Sequence, residues 1–449
     1  MPFMCRISPE CGDIQRISVQ DEQIPLRIVR VKRGAATQRA VIGIIAAVSN
    51  GGRGGHSCGR HGLVKTADAR YRVGAIGCGR KGTQQARAFD LHPRTQIVAA
   101  ADTDPENLEL FCKRFNVPGY SSYREMLAKE KIDIASTILP TSVNPEVVIG
   151  CAEVGVKAIL CEKPMASSLA LADRMVEMCR DRGIPLAAGD MFRNQSQFWE
   201  ARRLIDAGEL GDVQIINVYH HSDQISGTGC QPLSIMRMFA QDADVDWIFG
   251  WVTGAAAEDS EETKQVLDAF SDDDQGMAGV VRFANGVEGH IHYKEAPQYE
   301  IEVLCSRGVF ATDCRSFRLW KARGGANAAR VVPADLEEAK GLFSDPAMGR
   351  DQYDKHGWMQ LGSRVMDTVQ SVVDSVDQGI EPRASGDNGR KVLEIAIGLR
   401  ESERRGMTAV KFPLLDRSLT LTPKKGRMFN KKEVYGRQWY AEQIGRARQ

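Results

Sequence analysis

The chain has 449 residues, enough for two ordinary domains, and its 59 Lys+Arg against 58 Asp+Glu leave it close to neutral. That balance gives no electrostatic reason to expect a nucleic acid or a membrane surface as partner. Eleven cysteines, odd in number and without a C-x-x-C pair, read as thiols of a reducing compartment, so a cytoplasmic protein is expected rather than a disulfide framework.

Residues 1–70 show no sustained hydrophobic period and carry the glycine-rich stretch "NGGRGGHSCGRHG". They read as an N-terminal extension, largely disordered. The apolar run from Ala40 to Val48 is too short to span a bilayer and sits too far along the chain for an export signal. Cys58 with His56 and His61 lacks a second ligand pair, and no metal site is expected.

From Tyr71 the texture changes. "RVGAIG" is a short buried strand, "KGTQQARAFDLH" a helix stopped at Pro93, and "QIVAAAD" a second strand. "PENLELFCKRF" is a helix with Pro105 at its start, "IDIASTILP" a strand, and "NPEVVIGCAEVG" a helix left at Gly155. "KAILC" is a strand, "SLALADRMVEMCRDRG" a helix closed by Gly183, and "PLAAG" a strand. Strict alternation with near-continuous apolar strands predicts an α/β domain over residues 71–193, a doubly wound parallel sheet covered on both faces.

After Arg193 the alternation breaks. "FWEARRLIDAGELG" is a helix leading into the strand "VQIINVYHH", and "GVVRFANGVEGHIHY" is a hairpin whose Asn285-Gly286 pair predicts a type I′ turn. "YEIEVLCSRGVFATD" is a second hairpin. The acidic stretch at 255–276 reads as a solvated excursion, and two helices come late, "LGSRVMDTVQSVVDSVDQG" and "DNGRKVLEIAIGLRESERRG". A second, α+β domain with an open, mostly antiparallel sheet is expected over 194–423, then a basic tail over 424–449.

"GAIGCGRKG" places Gly77, Gly79 and Gly82 as G-x-G-x-x-G between the first strand and the first helix. The first glycine allows the tight turn, the second lets backbone approach a pyrophosphate, and the third lets helix and strand pack closely. Asp102 ends the second strand, where a carboxylate accepts from a ribose hydroxyl and repels a 2′-phosphate. Thr103 and Asp104 offer no arginine to receive such a phosphate, so NAD is favoured over NADP, with Arg80 the one cation inside the loop.

In a parallel sheet, ligands sit outside the carboxyl ends of the strands. "KAILCEKPMA" ends its strand in Glu162-Lys163-Pro164 at that rim, where a nicotinamide would reach. Desolvation there would lower the lysine pKa from about 10.4, fitting the amine to exchange a proton with a substrate hydroxyl, with Glu162 to orient it.

These stretches, with "AAADTDPEN", "IDIASTILPT", "CEKPMASS", "ARRLIDAGELGDV" and "EPRASGDNGRKVLEIAIGLRESERRG", resemble the Gfo/Idh/MocA oxidoreductases over about residues 71–423. The resemblance implies an NAD(P)-dependent enzyme that oxidises a hydroxyl of a sugar, cyclitol or related polyol, or reduces the matching carbonyl. It makes Lys163 the proton-exchanging residue and the C-terminal sheet a lining of the substrate site and a homo-oligomer interface. It also implies a cofactor-binding set of Gly77, Cys78, Gly79, Arg80, Gly82, Asp102, Thr103, Leu139, Pro140, Asn144, Glu162, Lys163 and Arg193, and substrate contacts from Lys163, Arg193 and Gln231.

The departures are as informative. The family carries D-x-G-x-H-x-x-D on a helix at the substrate site, and the matching stretch here, "SGTGCQPLSIMRMF", has Gly227 at the first acid, Gln231 at the histidine and Ser234 at the last acid. Glutamine cannot serve as a general base near neutral pH. His220 and His221, ending the strand "NVYHH" with Asp223 beyond, are candidate substitutes. Glu288, His290, His292 and Lys294 share one face of a strand and read as a polar sheet face or subunit contact. Two alternatives stay open beside the dehydrogenase: an NAD-dependent glycosidase, and a dinucleotide-binding protein that has lost catalysis.

Overall fold

In the computed structural model, placement is described for residues 17–19, 22–24, 70–221, 224–253, 274–293, 299–314, 316–324, 331–339 and 363–421. Residues 1–64 and 65–449 are two separate units. In the first, β1 (Ile17–Val19) and β2 (Glu22–Ile24) pair antiparallel. The rest of the expected extension lies outside the described residues, as do Asp223, Lys294, most of the acidic stretch and the basic tail.

The second unit opens on β3 (Tyr71–Ile76), α1 (Arg80–Leu91) and β4 (Thr95–Ala101). Helix α2 (Pro105–Phe115) starts on its proline and is capped by Asp104, whose carboxylate accepts from the Glu106 and Asn107 N–H groups at 3.0 and 3.1 Å. Then follow β5 (Gly119–Tyr120), α3 (Tyr123–Lys129), β6 (Ile134–Thr137), α4 (Asn144–Glu153), β7 (Ala158–Cys161), α5 (Leu169–Asp181) and β8 (Leu186–Ala188). All six strands run parallel in the order β5-β4-β3-β6-β7-β8. The order reverses between β3 and β6, so the loops leaving those two strands diverge and open a crevice at their carboxyl ends. Strands β3, β6 and β7 are buried almost throughout, which is why they read as unbroken apolar runs.

Short α6 (Met191–Asn194) and α7 (Ser196–Asp206) lead into β9 (Val213–His220), and α8 (Cys230–Phe239) follows. Next come β10 (Val245–Val252), β11 (Met277–Phe283), β12 (Glu288–Tyr293), β13 (Glu300–Cys305), β14 (Gly308–Thr312), β15 (Phe317–Ala322) and β16 (Leu336–Glu338). Helices α9 (Ser363–Gln378) and α10 (Gly386–Arg404) and strand β17 (Val410–Lys411) close the unit. The nine strands order as β16-β15-β14-β13-β9-β12-β11-β10-β17, antiparallel except where β9 runs beside β12. Phe198 of α7, Phe239 of α8 and Phe310 of β14 pack in tilted and edge-on pairs with centroids 5.1 to 6.4 Å apart, pinning both helices to one sheet face. Each such ring is worth about 1.5–3 kcal/mol of burial.

Two expectations change. The β11–β12 hairpin forms, but not through a type I′ turn. The Gly286 N–H donates to Phe283 O at 2.9 Å across Ala284 and Asn285, and within the turn the positive φ, +88°, belongs to Gly286. Asn285 therefore occupies an ordinary turn position, and the glycine takes the left-handed one in a three-residue loop. Helix α9, assigned by order to the second domain, packs on the first. Val365, Val369, Val372 and Val373 share a core with Val73, Phe89 and Ala158, and His92 Nε2 lies 3.0 Å from Gln370 Oε1. The valines recur at i, i+4, i+7 and i+8, one helix face, and chain order says nothing about which sheet that face will meet.

The described cysteines form no disulfides. Among the described residues, no helix is long and apolar enough to cross a membrane.

Candidate active site

The crevice between β3 and β6 is shaped by glycine. Gly77 sits at φ +95°, where a Cβ would overlap the Ile138 carbonyl, and a Cβ on Gly82 would overlap the Gly77 carbonyl oxygen. Gly79 caps α1 without a side chain, and Arg80 and Lys81 occupy the first turn with no acid among them, so the positive end of a twelve-residue helix faces the crevice. Asp102 braces the loop: one carboxylate oxygen accepts from the Cys78 N–H at 2.6 Å and the other from Asp104 N–H at 2.8 Å. Thr103 beside it is exposed, and the Cys78 side chain turns inward, where burial pushes its thiol up.

The loop after β6 closes the other wall. Leu139 Cδ2 would stand 3.1 Å from a Cβ on Gly77, and the Pro140 carbonyl accepts from the Val143 and Asn144 N–H groups at 3.0 and 3.2 Å. Asn144 is fully buried; its Nδ2 donates to the Glu162 carbonyl at 2.9 Å and its Oδ1 has no partner. A glycine cradle no side chain could share, a helix N-terminus free of acids and an orphaned amide oxygen together fit a dinucleotide. Gly77, Gly79 and Gly82 would hold the pyrophosphate and Asp102 the ribose.

Lys163 follows β7 at the carboxyl rim, before a cis peptide to Pro164. Its Nζ donates to the Gly227 carbonyl, just before α8, at 3.2 Å, and the Cys230 thiol approaches the same oxygen at 2.9 Å. The Glu162 carboxylate turns toward Gly189, with Oε2 3.3 Å from where a Cβ on that glycine would stand. Lys163 lines a cavity of about 30 Å³ with Asp190, Ser226, Cys230, Ser234 and Asn388. Asp190, absent from the expected set, ends β8 as Lys163 ends β7; the rule that singles out the lysine applies equally to "AAGD".

The other candidates lie elsewhere. Arg193 is part of the frame beneath the site, because its guanidinium donates to Arg383 O at 2.7 Å, Ser234 O at 2.9 Å and Asp242 at 2.7 Å. That leaves it tied to neighbouring backbone and one carboxylate at 4% exposure rather than turned to a cofactor or substrate. His220 is fully buried with Nε2 2.8 Å from the Met277 carbonyl, so that nitrogen carries the proton. Burial holds its pKa at about 4, and it is not among the residues lining the lysine cavity. His221 is exposed and stacks on Tyr299 at 5.1 Å, whose hydroxyl donates to Thr228 O at 3.3 Å. It is the histidine brought toward the α8 entrance. Gln231 is buried in the first turn of α8. His290 and His292 lie on the outer sheet face, stacked 6.3 Å apart, with Glu288 3.4 Å from His290.

Residues 71–189 match the family model described as "Oxidoreductase family, NAD-binding Rossmann fold", GFO_IDH_MocA. The chain is 24% identical over 356 residues to myo-inositol 2-dehydrogenase of Thermotoga maritima, covering 74% of this chain and 96% of that protein. It is 26% identical over 363 residues to D-apiose dehydrogenase of Paraburkholderia graminis, covering 76% and 90%. Other relatives align over a shorter stretch, such as a dTDP-3,4-didehydro-2,6-dideoxy-alpha-D-glucose 3-reductase of Streptomyces violaceoruber, 27% identical over 147 residues, 32% of this chain and 43% of that protein. Levoglucosan dehydrogenase, solved with NADH and levoglucosan, shares the fold with a TM-score of 0.62 at 18% identity, covering 77% of this chain and all of that one. With its glycine loop, its braced acid and its rim lysine in these positions, the stretch 71–189 is a Gfo/Idh/MocA NAD-binding domain, and the two relatives aligned over most of their length are named dehydrogenases.

Proposed function

We propose that this protein moves hydride between a nicotinamide dinucleotide, NAD in preference to NADP, and a ring hydroxyl or the matching carbonyl of a sugar, cyclitol or related polyol. The observation that carries the reading is Lys163, fixed at the carboxyl end of β7 and reaching across to the Gly227 carbonyl beside α8. The amine is thereby held at the seam between the glycine crevice and the C-terminal domain. The named activities of the two relatives aligned over most of their length, on myo-inositol and D-apiose, support a polyhydroxylated substrate.

When bound, the dinucleotide supplies the acceptor for the electron pair of the substrate C–H bond. The chain's task is the proton. Lys163 is in reach of a hydroxyl entering between β7 and α8 and takes its proton as the carbonyl forms. Asp102 and the glycine loop bind and orient, and α8 and α10 wall the cavity into which the lysine projects. His221 and Tyr299, stacked at the entrance, offer an aromatic wall of the kind that packs against a sugar ring.

The outer face of the nine-stranded sheet carries half-buried Tyr219, Trp247, Phe249 and Trp251 beside His290 and Glu302, and we assign it to a second copy of the chain. The described thiols support a reducing compartment, the cytoplasm.

Absorbance of the reduced nicotinamide, followed with NAD and NADP across inositols, pentoses and anhydrosugars, tests the reading. Turnover with at least one polyol and a preference for NAD is the expected result. Tight dinucleotide binding without turnover would favour instead a protein that kept its crevice and lost the chemistry, the reading that Gly227 and Gln231 prompt.

A further inference from the structure

We propose that Asp190 is the proton-relay partner of Lys163: water held in the cavity between them carries the proton that the lysine exchanges with substrate on to the Asp190 carboxylate, and back. The inference deepens the function proposed above and rests on it.

Asp190 ends β8 one strand away from Lys163 and caps α6, with Oδ1 accepting from the Arg193 N–H at 3.2 Å. Its Oδ2 is buried and makes no hydrogen bond. Capping alone does not call for this residue, since Ser or Asn caps as well without burying a charge. A buried carboxylate oxygen without a hydrogen bond is costly to keep, and Asp190 borders the same cavity as Lys163. About 30 Å³ gives room for ordered water, and Asp190, Ser234, Ser226 and Lys163 supply the polar partners such water needs.

The surroundings leave this carboxyl poised to change state. Arg237 Nε donates to Asn388 Oδ1 at 3.1 Å, which fixes the amide so that Asn388 Nδ2 donates to Ser234 Oγ at 2.8 Å. Ser234 thus accepts from Asn388, and its hydroxyl stands beside the Asp190 carboxyl. The groups around Asp190 are Lys163 after β7, Arg193 on α6 (its charge shared with Asp242 at 2.7 Å), and the thiols of Cys230 on α8 and Cys314 after β14. Glu162 stands beside the preceding Gly189. Burial pushes the carboxyl up; the Ser234 hydroxyl, the Arg193 N–H and the charges of Arg193 and Lys163 pull against it.

The protons balance. On oxidation the Lys163 ammonium first passes a proton through water to the Asp190 carboxylate. The amine, now neutral, takes the hydroxyl proton as the O–H bond breaks, and Asp190 later releases its own proton to solvent. On reduction each transfer runs in reverse.

The test uses the full chain without cofactor, labelled with carboxyl-¹³C aspartate and titrated by NMR, with the Asp190 signal assigned by its loss in Asp190→Asn. If the two groups share the cavity water, Lys163→Met raises the Asp190 midpoint, because a neighbouring positive charge is gone. An unmoved midpoint overturns the proposal. In turnover, Asp190→Asn and Asp190→Ser both keep a cap on α6 and should each lower kcat about 10- to 100-fold, with KM and dinucleotide affinity held. Wild-type kcat in either variant also overturns it. If the wild-type chain turns over no polyol while the NMR coupling is present, the proposed function fails and the pairing stands.

Discussion

The two halves of the site are made in different ways. The dinucleotide half, from Gly77 to Asp102, is backbone geometry: glycines that admit no Cβ, a helix N-terminus, and a carboxylate 24 residues from the amide it braces. The half to which we assign the proton is assembled from side chains on distant segments, Lys163, Asp190, Ser234 and Asn388, brought to one cavity by the packing of β7, β8, α8 and α10. The first tolerates almost no change in shape and the second almost none in chemistry. Substitutions should therefore separate them, binding failing without chemistry in one and chemistry without binding in the other.

The largest expected effect is on the chemical half. Lys163→Met should cost about 10²–10⁴ in kcat, the usual contribution of a positioned acid–base group, while equilibrium dinucleotide binding by fluorescence stays within a few-fold. A parallel loss of binding would mean that the lysine chiefly builds the crevice. On the dinucleotide half, Gly82→Ala forces α1 away from the Gly77 carbonyl. The displacement is of the kind that costs about 1–3 kcal/mol, and a Kd some 10- to 100-fold weaker should follow by calorimetry, with the Asp190 titration unmoved.

Asp102→Ala should act more mildly, about tenfold on NAD affinity, since it releases the Cys78 and Asp104 N–H groups to water and gives up about 1–1.5 kcal/mol of charge-assisted bonding. NADP should lose less, because a repelling carboxylate has gone. Equal losses for both would show that Asp102 holds the loop without reading the ribose.

Smallest is a stability effect outside both halves. The folded chain keeps His220 neutral down to a pKa of about 4, whereas unfolded it takes a proton below about 6.5. Stability should therefore fall as pH drops from 6.5 to 4 and level off below. His220→Gln should flatten that slope in thermal melts, whatever it does to the melting temperature at pH 8.

The contrast also explains what could be read before folding. The parallel sheet, the glycine loop and the rim lysine were legible because each is written within one strand–turn–helix stretch. Asp190 is equally legible by strand-end position, but the departures at Gly227, Gln231 and Ser234 point to the nearest histidines instead. His220 is excluded by the alternation that buries Ile216, Val218 and His220 along β9, and Arg193 by carbonyl partners 41 and 190 residues away. No local pattern carries such information. Helix α9 makes the same point, since its valine face shows that it packs and not on which domain.

The central claim is that the amine at position 163 faces the crevice where the dinucleotide binds. Acylation of the full chain with a limiting amine reagent, read by mass spectrometry with and without saturating NAD, measures this without knowledge of the substrate. Shielding of Lys163 by NAD, with surface Lys113 unaffected, is the predicted result. A lysine that reacts equally fast in both states would place its amine outside the crevice and contradict the account.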